Sequence, residues 1–295
     1  MQTSLFNTIK NNYHNMHTEP YIYNTLAKLA LRSIQLDYEL LRTTVPMRKS
    51  EFLWKKFLFM LFAPMFWHEE SQAYRIRIWG KNIYFEGRSD IGILQSQFIH
   101  NTYLSLLPIQ NETIIDIGAH VGEFAIFCNH TLHPRRMISF EPVEQSYRIL
   151  QKNKGVDTYR YAIGGSSHTT MHIPENTALS SSFPAFKNEK QEIAPCVRLD
   201  DLPEIQNLHA IGLLKIDVEG MEYDVLSASK ETLKKTRYLL IELGIARAQT
   251  KPPLDTLVYI KTILPNASLI HVGQKFGSEF RTDSIDLLFQ IADRE

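Results

Sequence analysis

The chain has 295 residues, of which 44% are hydrophobic, and its 32 Lys and Arg residues balance 32 Asp and Glu residues. This composition is typical of a globular protein with a sizeable core. A formal net charge of zero and a pI near 7.2 exclude the broad basic surface that non-specific nucleic-acid binding requires, so nucleic acid is not an expected partner. The only cysteines, Cys128 and Cys196, exclude a disulfide framework and a cysteine-based zinc site.

Residues 1–17 are too polar for a signal peptide, and a cytoplasmic location is therefore the expectation. The apolar run Phe57–Trp67 is interrupted by Pro64 and is shorter than the roughly 20 residues that a membrane-spanning helix needs. Four basic residues precede it: Arg48, Lys49, Lys55 and Lys56. An interfacial membrane anchor is therefore an alternative. A lid or core-packing segment is the favoured interpretation, and membrane association is not.

The amino-terminal part of the chain is predicted to be helical and to precede a hairpin. Apolar residues recur at three- and four-residue steps from Tyr21 to Arg42, which predicts an amphipathic helix that ends before Pro46. Polar and apolar residues alternate over Tyr74–Trp79, Gly80-Lys81 is the predicted turn, and Asn82–Phe85 is the predicted return strand. Ser89 is expected to cap the next helix. We divide the chain into residues 1–72, a helical lid or packing region, 73–110, the hairpin and helix leading into the core, and 111–295, the core domain.

After residue 111, short apolar runs alternate with helical segments, which predicts an α/β fold with parallel crossovers. The strand candidates are Thr113–Ile117, Met137–Phe140, Thr158–Ile163, Leu213–Val218, Tyr238–Leu243 and a closing run, Ser284–Ile291. Residues 169–199 interrupt this alternation and are predicted to form a loop-rich hairpin.

A glycine-containing turn follows the first of these strands. Asp116 ends the buried run, and Gly118 and Gly122 bracket the turn into a helix in the pattern D-x-G-x-x-x-G. Glycine lets a ligand lie close to the backbone because it lacks Cβ. The dinucleotide pattern G-x-G-x-x-G fails in both registers, at two of its three positions. The leading carboxylate would repel a pyrophosphate and instead suits a ligand with a cationic end.

A second acid, Glu141, ends the next strand and lies 25 positions after Asp116. A carboxylate at this place can accept hydrogen bonds from both hydroxyls of a ribose, as in many adenosine-binding proteins. Because the glycine turn does not suit a pyrophosphate, the two features together favour an adenosyl ligand that lacks one. S-adenosylmethionine is the leading candidate.

A third acidic group lies in the stretch LLKIDVEGMEYDVL, residues 213–226. Lys215 and Asp217 share one strand face, and Glu219 and Glu222 follow where the next helix begins. Ligands of open α/β sheets bind outside the carboxyl ends of the strands, so these acids are expected to face the same crevice as Asp116. Asp217 can alternatively be the buried ion-pair partner of Lys215, and Glu222 is expected to be structural rather than catalytic.

The sequence resembles the FkbM-type S-adenosylmethionine-dependent methyltransferases of the class I methyltransferase fold. The resemblance spans residues 88–243 and rests on SDIGILQSQF, TIIDIGAHVGEFAIF, ISFEP, YAIGG, VRLDDL, LLKIDVEGMEYDVL and LLIEL. It implies a Rossmann-like, seven-stranded, mostly parallel sheet with a reversed last strand and helices on both faces. It also implies S-adenosylmethionine as methyl donor and O-methylation of a hydroxyl on a sugar, glycan or natural product.

The resemblance assigns site residues to this chain. Expected cofactor-binding residues are Asp116, Gly118, Ala119, His120, Gly122, Glu141, Pro142 and Ala162. Expected catalytic residues are Asp217, Glu219 and His120, with Asp217 and Glu219 meeting the acceptor hydroxyl. The family loop usually reads D-x-G-A-N-x-G, so His120 departs from it. Its imidazole can orient the methionyl end of the cofactor or accept a proton.

Three matters stay open at this stage. Asp217, Glu219 and Glu242 could offer oxygen ligands to magnesium, but no metal is assigned. A nucleotide-dependent oxidoreductase is a rival on the same fold, although it lacks the phosphate-binding glycines. A non-catalytic module for glycan or membrane binding is a rival of another class, which the paired Asp116 and Glu141 disfavour. The acceptor and the oligomeric state are not predicted.

Overall fold

The computed structural model describes residues 33–44, 47–173, 190–244, 250–276 and 282–291, with side chains of 274–276 and 282–283 outside the description. The chain forms two compact units, Met1–Thr43 and Thr44–Glu295. In the first unit residues 33–42 are helical, as predicted, whereas residues 21–32 and Pro46 lie outside the described residues. The domain boundaries predicted after residues 72 and 110 both fall within the second unit and stay predictions.

The second unit begins with a helix packed along a small antiparallel sheet. Its elements are helix α1 (Lys49–Phe62), a 3₁₀ turn (Ala63–Phe66), and strands β1 (Trp67–His68), β2 (Ala73–Ile78) and β3 (Lys81–Phe85). Phe52 stacks on Trp79 with ring centroids 5.8 Å apart, and Phe59 stacks on Phe85 at 6.1 Å. These aromatic contacts hold the inner side of α1 on the hairpin.

The predicted hairpin is confirmed, but its turn lies one residue earlier than expected. Trp79 and Gly80, not Gly80 and Lys81, form the turn, with φ values of 53° and 78°. Two consecutive residues with positive φ match the twist of the flanking strands. Glu51 contributes to this turn because its Oε1 accepts a hydrogen bond from Trp79 N at 2.9 Å.

Helix α2 (Arg88–His100) follows the hairpin. The Asp90 carboxylate caps it, since its Oδ2 accepts from Glu86 N at 2.7 Å and from Gly87 N at 3.0 Å. The expectation that Ser89 caps this helix is therefore wrong. A carboxylate at the third helical position can reach back to these free N–H groups, whereas Ser89 lies inside the first turn and donates its hydroxyl to Asp90.

The predicted α/β sheet is confirmed, with seven strands in the order β12-β13-β11-β10-β4-β5-β6. Only β13 is antiparallel to its neighbours, which is the expected reversed strand. The remaining elements are β4 (Thr113–Ile117), α3 (Glu123–Thr131), β5 (Arg136–Phe140), α4 (Glu144–Leu150), β6 (Asp157–Tyr159), β7 (Ala162–Ile163), β8 (His168–Ile173), β9 (Lys190–Val197), α5 (Pro203–Gln206), β10 (Ile211–Ile216), α6 (Glu222–Ser227), α7 (Lys230–Lys234), β11 (Thr236–Gly244), α8 (Pro253–Ile263), β12 (Ser268–Phe276) and β13 (Thr282–Gln290).

Two strand predictions need correction. The run Thr158–Ile163 is not one strand: β6 joins the seven-stranded sheet, whereas β7 pairs with β9 in a separate three-stranded sheet with β8. Strand β12 was not predicted. It lies at the sheet edge, where Leu269, Ile270 and Val272 are 44–51% exposed, so it lacks the buried apolar run that marks the central strands. The hairpin predicted within 169–199 is confirmed by the antiparallel pairing of β8 with β9.

The sheet core positions the carboxyl ends of its central strands. Every residue of β4 and β10 is buried, as continuous apolar strands of a parallel sheet should be. Pairing of β10 with β4 puts Lys215 opposite Asp116, and pairing of β4 with β5 puts Asp116 opposite Ser139. The charged residues at these strand ends are therefore brought side by side by sheet register.

One buried amide links the small sheet to the turn after β4. Asn153 Oδ1 accepts from Tyr84 N at 3.0 Å, and its Nδ2 donates to Tyr84 O at 3.0 Å and to Val121 O at 2.7 Å. Asn153 thus pairs with edge strand β3 as a neighbouring peptide group would. Among the described residues, no helix is long and apolar enough to span a membrane.

Candidate active site

The turn after β4 is packed between the ends of β5 and β10. Gly118 N and Ala119 N both donate to Phe140 O at 3.0 Å. Gly118 has a φ of 85°, and a Cβ there would lie 1.8 Å from the backbone oxygen of Asp217. The first glycine of the predicted motif is therefore required by the close approach of two backbones. It also brings Asp217 next to the turn.

The second glycine of the motif begins helix α3. Gly122 has a φ of 98°, and a Cβ on it would lie 2.8 Å from Leu150 Cδ1. A side chain at this position would combine an unfavourable left-handed backbone with a clash against α4. Both glycines have local structural reasons, which hold whatever ligand the turn binds.

Asp116 is fully buried and shares a lysine with Asp217. Lys215 Nζ lies 3.2 Å from Asp116 Oδ1 and 3.2 Å from Asp217 Oδ2, and it lies 5.2 Å from the centre of the Phe124 ring. Burial raises the pKa of Asp116, and the Lys215 charge lowers it again in part. Asp116 Oδ2 is buried without a hydrogen-bond partner in the described part of the chain. The predicted Lys215–Asp217 pair is present, and Lys215 also balances the charge of Asp116 on β4.

Glu141 ties the end of β5 to the turn after β4. Its Oε2 accepts from His120 N at 2.8 Å, and its Oε1 accepts from Val143 N at 2.9 Å. The side chain is 6% exposed, and burial raises its pKa to about 7, with the His120 charge acting in the opposite direction. Each carboxylate oxygen retains a further lone pair, so Glu141 can still accept from a ligand hydroxyl.

His120 lies among carboxylates. Its Nδ1 is 3.0 Å from Glu123 Oε1 and its Nε2 is 3.6 Å from Glu86 Oε2. Burial lowers its pKa, but Glu123, Glu86 and Asp90 outweigh burial and raise the pKa well above the usual value. These carboxylates therefore favour the protonated form of His120. Of the two roles predicted for His120, a protonated imidazole favours orienting the methionyl end of the cofactor over accepting a proton.

The carboxyl ends of β10 and β11 carry a second acidic cluster. The nearest carboxylate oxygens of Asp217, Glu219 and Glu242 lie within 4.8 Å of one another. Glu219 has a φ of 54° and Gly220 a φ of 113°, so the chain reverses sharply here. The predicted trio is thus brought together, and its oxygen donors are of the kind that bind magnesium.

Glu222 supports this reversal, in line with the structural role expected for it. Its Oε1 accepts from Gly220 N at 3.0 Å, and the residue is 3% exposed. Burial, together with the charges of Asp217 and Glu242, raises its pKa to about 7. Glu222 therefore fixes the loop that presents Glu219.

Two predicted cofactor residues lie at the margins of the turn. Pro142 is half-buried directly after Glu141, and its carbonyl accepts from Arg160 Nε at 3.3 Å. Ala162 is 8% exposed in β7, opposite Cys196 of β9. Their roles in cofactor binding stay predictions, as do those of Ala119 and the other assigned residues.

Sequence reasoning missed the acids that surround His120. Glu86 and Asp90 come from the approach to α2, and Glu123 begins α3. The i, i+3 spacing of His120 and Glu123 was a visible signal for one contact. Glu86 and Asp90 gave none, because 30 or more positions separate them from His120 and only the packing of α2 on α3 brings them close.

Comparison with known proteins identifies the domain that carries this site. The sequence model of the Methyltransferase FkbM domain matches residues 116–258. A "2-O-methyltransferase NoeI" of Sinorhizobium fredii (strain NBRC 101917 / NGR234) is 28% identical over 165 residues, covering 49% of this chain and 68% of that protein. A "Hexuronic acid methyltransferase AglP" of Haloferax volcanii is 22% identical over 139 residues, covering 45% of this chain and 56% of that protein.

The solved structures that this chain resembles are more distant in sequence. An O-methyltransferase from Bacillus cereus in complex with SAH has 15% sequence identity and a TM-score of 0.38, over 61% of this chain and 74% of that one. An rRNA methylase from Streptococcus thermophilus has 10% identity and a TM-score of 0.42, over 66% of this chain and 94% of that one. The FkbM family uses S-adenosylmethionine, which supports the cofactor predicted from the sequence. Residues 116–258 of this chain therefore match the methyltransferase domain of the FkbM family.

Proposed function

We propose that this methyltransferase transfers a methyl group from S-adenosylmethionine to a hydroxyl oxygen of a sugar, glycan or natural product. The observation that carries the proposal is the arrangement of carboxylates around one glycine turn. Glu141 and Asp116 lie on one side of the turn, and Asp217 and Glu219 follow the adjacent strand. The first pair is suited to the donor and the second to the acceptor.

The residues around the turn fit S-adenosylmethionine. The unpartnered Oδ2 of Asp116 leaves acceptor capacity close to the turn, and the acidic surroundings favour a ligand with cationic ammonium and sulfonium groups. Gly118 lets the turn pack against the backbone of Asp217, which keeps the donor and acceptor residues close together. Glu141 has lone pairs left for the ribose hydroxyls. The cofactor itself supplies an activated methyl group, which needs no further activation by the protein.

The chain's own residues would align the acceptor and handle its proton. Asp217 is 22% exposed and is next to Gly118, so it can accept a hydrogen bond from an acceptor hydroxyl and take its proton. Lys215 pairs with the Asp217 carboxylate at 3.2 Å and fixes its orientation. Glu219 projects from a left-handed turn beside it and is positioned to hold a second hydroxyl. The main contribution to rate would be alignment.

The acceptor class is supported by the relatives. One of them is named as a 2-O-methyltransferase and another as a hexuronic acid methyltransferase. At 22–28% identity these names indicate a class of acceptor rather than a compound. A polyhydroxylated acceptor also suits a site with several acidic hydrogen-bond acceptors.

The test has two stages. Calorimetry with S-adenosylmethionine should show binding, and NAD, the ligand of the rival oxidoreductase, should not bind. Mass spectrometry should then find a gain of one methyl on a member of a panel of hydroxylated sugars, uronic acids and phenols. Binding of NAD in preference to S-adenosylmethionine would refute the proposal. A methyl found on a nitrogen or carbon of the product would refute the O-methylation part alone.

A further inference from the structure

One side of α1 and the 3₁₀ turn after it is apolar and exposed. Between residues 54 and 67, which we call the apolar segment, seven large apolar side chains are 41–82% exposed: Trp54, Phe57, Met60, Leu61, Phe62, Met65 and Trp67. Trp54 and Phe57 stack on each other with ring centroids 5.8 Å apart. Exposed apolar surface of this extent marks a contact site for a membrane or a protein.

The opposite side of the segment is firmly packed. Phe52 and Phe59 are fully buried, and Ala63 is 1% exposed. Lys56 also points inward, where its Nζ donates to Gln95 Oε1 at 2.7 Å in a buried contact. The packing role predicted from the sequence therefore applies only to this inner side. The outer apolar side chains lie on the same well-packed helix but do not pack into the core.

Basic residues surround the amino-terminal end of α1. Met47 and Arg48, which lead into the helix, line a groove of about 1010 Å³ between β3, the end of α3 and residues 152–156. Lys81, Lys152 and Lys154 line the same groove, and no carboxylate lines it. No ion pair with a described acid involves these three lysines, whereas Arg48 pairs with Glu51 at 3.1 Å.

None of the acids of the candidate active site lines the groove, although Asn153, which contacts the turn after β4, does. The carboxyl-terminal end of α3 and the residues before β6 form the groove. It therefore lies near the amino ends of the parallel strands. The acids of the active site lie at the carboxyl ends. An anion bound in the groove would therefore not occupy the place of the donor or acceptor.

We propose that the apolar segment docks on a membrane surface that contains anionic phospholipid. Its tryptophans, phenylalanines and leucine would enter the boundary between headgroups and acyl chains, as amphipathic interfacial helices do. Lys81, Lys152 and Lys154 would attract the lipid phosphates near the start of the helix. A lipid surface satisfies both features at once.

The test uses the full chain and vesicle flotation. Vesicles of phosphatidylcholine alone are compared with vesicles that also contain phosphatidylglycerol, at low and at raised salt. We expect flotation with the anionic vesicles and weaker binding at raised salt, because salt screens the lysine charges. The measurement does not involve methyl transfer, so its outcome is independent of the proposed function.

Two variants separate the apolar and the electrostatic contributions. The triple substitution Trp54→Ser, Phe57→Ser and Leu61→Ser removes three exposed apolar side chains and should weaken vesicle binding by more than about a hundredfold. Its control is Leu106→Ser, Ile193→Ser and Val258→Ser, at positions 60–84% exposed elsewhere. Both should melt near the wild-type temperature.

The second variant is Lys81→Gln, Lys152→Gln and Lys154→Gln, which should weaken binding to anionic vesicles about a hundredfold, or roughly fivefold per lysine. Its control is Lys230→Gln, Lys251→Gln and Lys261→Gln, three exposed lysines of the carboxyl-terminal region whose replacement changes the net charge equally. The control should bind like wild type.

Three results would overturn the proposal. One is wild-type protein that does not float with anionic vesicles. Another is vesicle binding that both triple variants retain. The third is a dimer in sedimentation experiments without lipid that the Trp54, Phe57 and Leu61 variant converts to a monomer, since the segment would then be an interface between copies of the chain.

Discussion

Two acidic clusters flank the turn after β4, and they differ in how their charge is balanced. Around His120, the carboxylates of Glu86, Glu123 and Glu141 face the imidazole or backbone N–H groups. After β10, Asp217 pairs with Lys215, which also pairs with Asp116. The carboxylates of the first cluster are thus contacted by a histidine and by backbone N–H groups, whereas Asp217 is contacted by a lysine that it shares with a neighbouring strand.

We expect the first cluster to be a holding region for the donor and the second to be a reacting region for the acceptor. Groups that are already hydrogen-bonded inside the protein are rigid and suit the binding of a donor. Carboxylates with spare acceptor capacity near the surface suit the capture of a hydroxyl proton. The comparison leads to four expectations, which are given from the largest expected effect to the smallest.

Gly118→Ala places a methyl group where the backbones of the two regions touch. The new Cβ would lie 1.8 Å from Asp217 O, at a φ of 85°, so we expect a loss of more than about 4 kcal/mol in the free energy of unfolding. Urea denaturation measures it. Gly165→Ala is the control, because a Cβ there meets no atom within 4 Å. Near-wild-type stability of Gly118→Ala would show that the strand ends are not in close contact.

Asp217→Asn tests the reacting region. If Asp217 takes the acceptor proton, turnover should fall about 10²–10⁴-fold, while the affinity for S-adenosylmethionine stays within a few-fold of wild type. Single-turnover rates, calorimetry and melting temperature are measured on the same variant. Asp201→Asn, at a side chain 69% exposed, is the control.

The alternative role of Asp217 as an ion-pair partner of Lys215 predicts a different pattern. Loss of the carboxylate would then lower the melting temperature markedly and reduce cofactor affinity and rate together. That pattern, or unchanged turnover, would remove Asp217 from the catalytic residues.

Glu141→Ala tests the holding region. We expect affinity for S-adenosylmethionine to fall at least about a hundredfold, because two charge-assisted hydrogen bonds to the ribose are lost. Since His120 N and Val143 N also lose their acceptor, stability should fall by about 2 kcal/mol. Calorimetry and urea denaturation measure the two effects, with Glu144→Ala as the control at a half-exposed acid. A folded variant with wild-type affinity would contradict the ribose assignment.

Glu222→Gln tests the effect of buried charge on stability. The folded protein keeps Glu222 protonated up to about pH 7, whereas an unperturbed glutamate releases its proton near pH 4.5. The folded state therefore binds more protons in this window, and its stability should fall as the pH rises through it. Glutamine can still accept from Gly220 N but does not titrate, so the variant should show a flatter decline and be more stable than wild type at pH 8. An unchanged pH profile would contradict the raised pKa.

The sequence was sufficient to predict the parts of the fold that are encoded locally. Strand β4 has the predicted bounds, because five consecutive buried residues lead directly into a glycine turn. Strands β6 and β7 were merged in the prediction, because a continuous run of apolar and polar residues does not show where the chain leaves one sheet for another.

The candidate site was predictable where it depends on sheet register and unpredictable where it depends on helix packing. The meeting of Lys215, Asp116 and Asp217 follows from strand-end positions. The charge state of His120 does not, since it depends on Glu86 and Asp90 from a helix that is distant in sequence.

The buried amide of Asn153 has a consequence for how the two sheets behave as one body. Its Oδ1 and Nδ2 complete the hydrogen bonds of Tyr84 on the edge of the small sheet, and the same Nδ2 reaches Val121, one residue from His120. An aspartate here would present a carboxylate to two carbonyl oxygens and repel both. Replacing this single amide with a carboxylate would thus loosen the hairpin and the glycine turn together, although the two are 30 or more positions apart in sequence.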